Sequence, residues 1–263
     1  MADRDVRIPL HAGPPARPVI AGNWKMNKGP SEARHFCEQF ADAYEPRSDR
    51  SVLLFPPAIT FVTVADALAG RRDIRLGVQD VHWEEQGAFT GAISAPMARD
   101  AGAEFALVGH SERRHVFGET EEETGLKVAA VFEAGLLPVL CVGETIEERR
   151  AGKVETVILR QLEAGLSGLS GARIARVMIA YEPVWAIGTG ETATPDDAAA
   201  AHGTLRKWLQ ERVPDAAGAI PILYGGSVKP DNAAELLAAS DVDGVLVGGA
   251  SLDPVSFATI AAS

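Results

Sequence analysis

Short apolar runs alternate with amphipathic stretches along the whole chain. The runs are PVIAGNW (18–24), SVLLFPP (51–57), IRLGVQD (74–80), FALVGHS (105–111), LPVLCVGE (137–144), VMIAYEPVW (177–185), IPILYGGS (220–227) and GVLVGGAS (244–251). Their first strand-type residues fall near 19, 52, 74, 105, 137, 177, 220 and 245. The mean spacing, about 32 residues, is the length of one strand plus one crossover helix. Each run is apolar throughout rather than alternating, the pattern of parallel strands buried on both faces.

The stretches between the runs carry helical periodicity. In 31–45, Phe36, Phe40 and Tyr44 repeat at four-residue spacing beside Cys37 and Ala41, which makes one apolar stripe. Thr194-Pro195-Asp196-Asp197 reads as an N-cap, a proline at the first helical position and an acid three residues after the cap. A stripe of Ala198, Ala201, Leu205, Trp208 and Leu209 comes after it. A third helix is predicted near 120–134, carrying Val128, Val131 and Phe132 and stopping at Gly135. Eight βα units without a composition break predict an α/β protein, a single-domain (β/α)8 TIM barrel, rather than an open doubly wound sheet. The barrel is expected over 17–263, after a flexible extension of residues 1–16 in which charge and proline alternate without a signal-peptide core.

Composition narrows the setting. With 46% hydrophobic and 23% charged residues among 263, wholesale disorder is excluded. Cys37 and Cys141 stand 104 positions apart with no CxxC pair. That excludes a cysteine-based zinc site and points to a reduced, cytoplasmic setting. The net charge of −11 argues against a broad nucleic-acid or anionic-membrane footprint. No run approaches the roughly 18 apolar residues of a spanning helix. If the substrate is an anion, its positive field must be local.

The chemistry-bearing residues share one location. Lys25, His110, Glu182, Gly225-Gly226-Ser227 and Gly248-Gly249 all fall at or just after a predicted strand's C-terminal end, and in a βα barrel those ends form the reactive face. Lys25 alone reads either as a solvated lysine or as the partner of an anionic substrate. Asn23 reads as an amide donor to a substrate oxygen or as a turn residue. His110 precedes a predicted N-cap, Ser111, where the positive helix end favours a neutral ring; local backbone satisfaction is the other reading. Glu182, after five apolar residues and before Pro183, is a general base with a desolvation-raised pKa or half of a buried ion pair with Lys25 or an arginine. The apolar tip 184–187, between proline and glycine, reads as a water-excluding lid or a plain βα loop. The two Gly-Gly turns suit phosphate, through close backbone N–H approach and a succeeding helix N-terminus. The remaining histidines show no HExxH pattern, and no metal is expected.

At these residues the chain resembles the triosephosphate isomerase family from about residue 18 to its end. The resemblance rests on NWKMN (23–27), GAFTG (87–91), VGHSERR (108–114), CVGET (141–145), AYEPVWAIGTG (180–190), YGGSV (224–228) and DGVLVGGASL (243–252). It implies a cofactor-free interconversion of dihydroxyacetone phosphate and D-glyceraldehyde 3-phosphate in glycolysis and gluconeogenesis. This family is itself a standard example of pKa tuning, so the roles come with the resemblance. By it Glu182 is the base, His110 the neutral electrophile, and Lys25 and Asn23 the charge stabilisers. Glu112 is expected near Lys25. Gly188, Ser227, Gly248 and Gly249 would hold the phosphate, while Tyr224 and Ser227 help keep a lid closed over the intermediate. The family is dimeric, which implies a homodimer whose 80–95 loop carries Thr90 to the neighbour's Lys25. Arg206 and Asp243 match a structural ion pair. Three departures stand out. Ala92 replaces an acid common in relatives, putting one dimer contact in doubt. Asp80 replaces a common asparagine and adds charge near the interface. Glu191 replaces a frequent lysine at the lid hinge. Another sugar-phosphate barrel is disfavoured by the GHSERR and YEPVWAIGTG segments, and a non-catalytic scaffold by the presence of Lys25, His110 and Glu182 together.

Overall fold

Aliphatic runs with no polar face need cover on both sides, and a ring of strands inside a ring of helices supplies it. A computed structural model of the chain describes residues 15–187 and 193–263. Its strands are β1 (Val19–Asn23), β2 (Ser51–Phe55), β3 (Ile74–Val78), β4 (Phe105–Val108), β5 (Leu137–Val142), β6 (Met178–Tyr181), β7 (Ile222–Tyr224) and β8 (Gly244–Val247). They form a closed barrel in sequence order. Each opens within two residues of its expected start. β1 pairs in parallel with β2 through Val19↔Ser51 and with β8 through Val19↔Gly244, so no edge is left. All strand residues are buried except Arg75, which is half-buried and pairs with Glu104 at 2.8 Å.

The helix signals operate as local chemistry requires. Thr194 caps Pro195–Arg212, its side chain accepting from the Asp197 N–H while Asp197 returns the bond. Thr120 and Glu123 do the same for Glu121–Glu133, and Gly135 beyond it adopts φ +75°. The first helix is Pro30–Ala43, two residues shorter than expected at its end. Tyr44 is already extended there, one residue before Glu45, which Pro46 holds out of helical geometry. Its aromatic stripe stacks as expected, Phe36 on Phe40 at 5.8 Å and Phe40 on Tyr44 at 5.4 Å. Phe40 also meets Phe257 of the last helix, Pro254–Ala262, at 5.2 Å, which closes the outer ring.

The third unit departs from a simple βα pattern. Residues 79–94 contain no helix, and the crossover helix is only Ala95–Asp100. Gly87 at φ +152° and Gly91 at φ +88° break the chain there. The segment is stitched internally, His82 stacking on Trp83 at 4.2 Å and on Phe89 at 4.0 Å. Ahead of β1, Arg17 reaches the Gly218 carbonyl and Asp243; of the expected 1–16 extension, residues 1–14 lie outside the described residues. Among the described residues, no helix is long and apolar enough to cross a membrane.

The expected Arg206–Asp243 pair forms at the barrel floor. Arg206 also binds Asp241 and the Ala217 and Ile220 carbonyls, and Asp243 accepts the Ile222 N–H at 3.0 Å. Beside it, His202 is wholly buried and donates Nδ1–H to the Asp241 carbonyl at 2.9 Å. Burial pushes its pKa down to about 4 from 6.5. The unfolded chain therefore takes up a proton below 6.5 that the folded chain refuses until about 4. This contribution to stability is whole above pH 6.5 and lost as pH falls toward 4, up to about 3 kcal/mol in all. Denaturant unfolding of His202→Gln across that range is expected to lack this part of the slope; a slope equal to wild type would contradict it.

Candidate active site

The mouth of the barrel is assembled from residues that β1, β4, β6, β7 and β8 deliver at their C-terminal ends. Asn23 is the last residue of β1, and its Oδ1 accepts the Lys25 N–H at 3.0 Å. That turn holds Lys25 at φ +51°, a left-handed conformation rare for a non-glycine residue. Gln79, just past β3, secures it from the other side, its Nε2 donating to the Lys25 carbonyl at 2.9 Å and to the Phe55 carbonyl at 2.8 Å. The Lys25 ammonium reaches Glu112 Oε1 at 2.8 Å, the expected pairing. Its stem lies over Gly248, where an added Cβ would sit 3.4 Å from Lys25 Cε.

His110 caps the helix Ser111–Val116 itself; the expected cap, Ser111, is the first helical residue. Imidazole Nδ1 accepts the Glu112 N–H at 3.2 Å, so Nε2 carries the proton. Nε2 lies 2.9 Å from Glu182 Oε1 and 3.2 Å from Asn23 Nδ2. The other carboxylate oxygen of Glu182 accepts the Ser111 N–H at 2.8 Å. Glu182 is thus a buried carboxylate held by an imidazole and a helix N-terminus, rather than by Lys25 or an arginine.

The electrostatics correct two expectations. Burial pushes the Glu182 pKa up, as anticipated, but His110, the Ser111 N–H and Lys25 together outweigh burial and hold it below the usual carboxylate range. Burial likewise opposes charge on His110, and the Glu182 carboxylate pushes its pKa up against that pull. Its pKa therefore stands above the ordinary imidazole value, against the neutral ring expected at a helix start, while Nδ1 accepts the Glu112 N–H and leaves Nε2 to carry the proton that faces Glu182.

Glu182 also depends on two close approaches of backbone. A Cβ on Gly143 would fall 1.7 Å from the Glu182 carbonyl oxygen, and one on Gly225 would fall 2.9 Å from Glu182 Cγ. Gln161 fixes Gly143 by bonding both its N–H, at 2.8 Å, and its carbonyl, at 3.1 Å. At Gly226 an added Cβ would strike the Tyr224 hydroxyl at 2.1 Å. Tyr224 is fully buried, and that burial pushes its pKa up to about 12.

Other expected residues are placed less tightly. Ser227 is half-buried, Gly248 half-buried and Gly249 exposed, all at the same mouth. No helix starts at Ser227: the next is Ala233–Leu237, so anion attraction after β7 falls to backbone N–H groups alone, while Gly249–Leu252 forms a short 3-10 turn after β8. Gly188 and Glu191 lie outside the described residues. Thr90 is exposed on the 79–94 segment. Ala92 is exposed and closes a turn onto the Phe89 carbonyl. The charge of Asp80 is locally neutralised by Lys127 at 2.7 Å and Arg113 at 3.2 Å.

Several residues carry weight that the sequence motifs had not assigned: Gln79, Gly143, Gln161 and Glu144. Glu144, wholly buried, accepts from Tyr181, Trp185 and Arg149 on one oxygen, which anchors the start of the 184–187 tip. The signal for Glu144 was its place in CVGET at the end of β5. Among the described residues, no cluster of three or more His, Cys, Asp or Glu side chains could hold a metal ion.

A closed parallel barrel with a carboxylate, an imidazole and a lysine gathered at the C-terminal ends of its strands defines a (β/α)8-barrel enzyme. The family model described as triosephosphate isomerase matches residues 18–263. The triosephosphate isomerase of Roseiflexus sp. (strain RS-1) is 54% identical over 244 residues, covering 92% of this chain and 96% of that protein. That of Solibacter usitatus is 48% identical over 245 residues, covering 93% and 98%. The crystal structure of triosephosphate isomerase from Bartonella henselae is 42% identical and superposes with a TM-score of 0.83, covering 93% of this chain and 98% of that one. The chain belongs to the triosephosphate isomerase family, and it is an isomerase.

Gly143→Ala tests the placement of Glu182. The methyl group forces the Glu182 backbone to shift by more than 1 Å, a misplacement that costs about 10²-fold in kcat. Overpacking adds about 1–3 kcal/mol of destabilisation. A folded variant with wild-type kcat would show that Glu182 tolerates displacement.

Proposed function

We propose that this barrel interconverts D-glyceraldehyde 3-phosphate and dihydroxyacetone phosphate through an enediolate, without a cofactor, in glycolysis and gluconeogenesis. The observation that carries this reading is the 2.9 Å contact between Glu182 and the Nε2 of His110, with Lys25 close by. Glu182 takes a proton from the carbon next to the substrate carbonyl and returns it to the former carbonyl carbon. The C–H electron pair moves into the enediolate, His110 Nε2–H donates to the oxygen that gains charge, and the proton of the neighbouring hydroxyl passes to that oxygen as the new carbonyl forms. The Lys25 ammonium and the Asn23 amide stabilise the same charge. Substrate entry between Glu182 and its partners removes the bonds that keep its pKa low and leaves the desolvation that raises it. The base is stored paired and becomes basic on binding.

Backbone N–H groups at Ser227, Gly248 and Gly249, with Gly188 from outside the described residues, hold the phosphate. The 184–187 tip forms the lid that keeps water from the enediolate, with Tyr224 helping to hold it closed. Residues 17–263 are the catalytic barrel and 1–16 an N-terminal extension. Two buried, unpaired cysteines, Cys37 and Cys141, suit a reduced cytoplasm. An isomerase assay on glyceraldehyde 3-phosphate is expected to show turnover that Glu182→Ala lowers by at least ~10²–10⁴-fold. Absent wild-type turnover, or an unimpaired variant, would sink the assignment.

The enzyme acts as a homodimer. Support comes from the exposed Met26, Phe89 and Phe117 and from a cavity of about 530 Å³ lined by Gln79, Asp80, Arg113 and Lys127 among others. The 79–94 segment of one protomer, carrying Thr90, enters the other's mouth beside Lys25. Sedimentation velocity is expected to give a dimer, and Thr90→Arg to shift it toward monomer with loss of activity. A fully active wild-type monomer would overturn the assembly.

A further inference from the structure

Behind His110 lies a buried charge network to which the proposed reaction assigns no role. Glu119, just beyond the helix Ser111–Val116, has a side chain only 2% exposed. Its Oε1 accepts the Gly109 N–H at 3.1 Å and the Thr124 hydroxyl at 3.4 Å. Its Oε2 accepts from Lys127 Nζ at 2.6 Å and Arg113 Nε at 3.4 Å. The same lysine reaches Asp80 Oδ1 at 2.7 Å, at the root of the 79–94 segment.

Buried ion pairs stabilise little relative to apolar packing of the same shape, so their presence calls for a geometric reason. Here the reason is next to the site. Gly109 stands at φ +70° between β4 and His110. Its carbonyl is held by Arg114 Nε at 2.7 Å and its N–H by Glu119. With both ends of Gly109 fixed, the His110 backbone has one orientation, and with Nδ1 tied to Glu112 the ring has one as well. Rotation at Gly109 would swing Nε2 away from the position facing Glu182.

We propose that Glu119 is a positioning residue for His110, acting through the Gly109 N–H, with Lys127 anchoring the carboxylate and Asp80 tying that ammonium to the 79–94 segment. The packing of that segment is thereby coupled to the orientation of the catalytic imidazole. This rests on the isomerase reading of His110.

The test compares Glu119→Leu with Glu119→Gln in the full chain. Leucine removes the acceptor while Lys127 keeps Asp80; glutamine keeps an oxygen for Gly109. Glu119→Leu is expected to lower kcat at least about tenfold with KM within about twofold, the pattern of a lost transition-state interaction. Glu119→Gln is expected to recover most of that loss, and the Gly109 amide to exchange with solvent faster in the leucine variant only. Wild-type kcat in a folded Glu119→Leu, or equal damage in both variants, would overturn the proposal. If the leucine variant does not fold, Lys127→Gln serves: lowered kcat at unchanged KM supports the role, and wild-type kcat refutes it. If the wild-type chain has no isomerase activity, the functional reading fails separately. The proposal then stands or falls on whether Gly109 exchange differs between the two Glu119 variants.

Discussion

Closure of the strand ladder between β1 and β8 is the constraint on which everything else hangs. With Val19 paired to Ser51 on one side and Gly244 on the other, every strand has two neighbours. No backbone row is left unpaired, and all eight C-terminal ends face one mouth. The helices repeat the closure outside, where Phe40 meets Phe257. Asn23, His110 and Glu182 are far apart along the chain, and only this ring brings Asn23 within 3.2 Å of His110 and His110 within 2.9 Å of Glu182. A parallel sheet that failed to close would leave the first and last strands exposed and the mouth without two of its walls.

Charge is organised locally rather than globally. The chain carries −11, yet at the mouth each acid meets a donor: Glu112 with Lys25, Glu182 with His110 and the Ser111 N–H, and Asp80 and Glu119 with Lys127 and Arg113. The net sign of the surface therefore says little about what the mouth can attract. The helix start at 110–112 serves twice, its Glu112 N–H setting the imidazole tautomer and its Ser111 N–H holding the carboxylate. One turn of backbone thus orients two side chains, a consequence of unpaired N–H groups at any helix start.

The differences between motif reading and structure share a cause. Ser111 looks like the cap because serine is a good one, but the imidazole of His110 already meets the Glu112 N–H, and the helix begins one residue earlier for it. Glu182 looks like a raised-pKa base because its neighbours in sequence are apolar. Its neighbours in space are His110 and Ser111, 72 and 71 positions away, and they reverse the shift. Asp80 looks like an added interface charge until Lys127 and Arg113 are seen to cover it.

The chain's own pattern determined the number and order of strands, the caps at Thr120 and Thr194, the glycine turns, and which residues would stand at strand ends. These come from local sterics, capping and burial periodicity, which act over a few residues. Tertiary structure alone decided which of those residues touch. The lowered pKa of Glu182, the roles of Gln79 and Gly143, and the tie from Lys127 to Asp80 each arise from contacts between residues far apart in the chain. Hydrogen bonds and desolvation depend on distance in space, and the strand ladder, once closed, is what sets that distance.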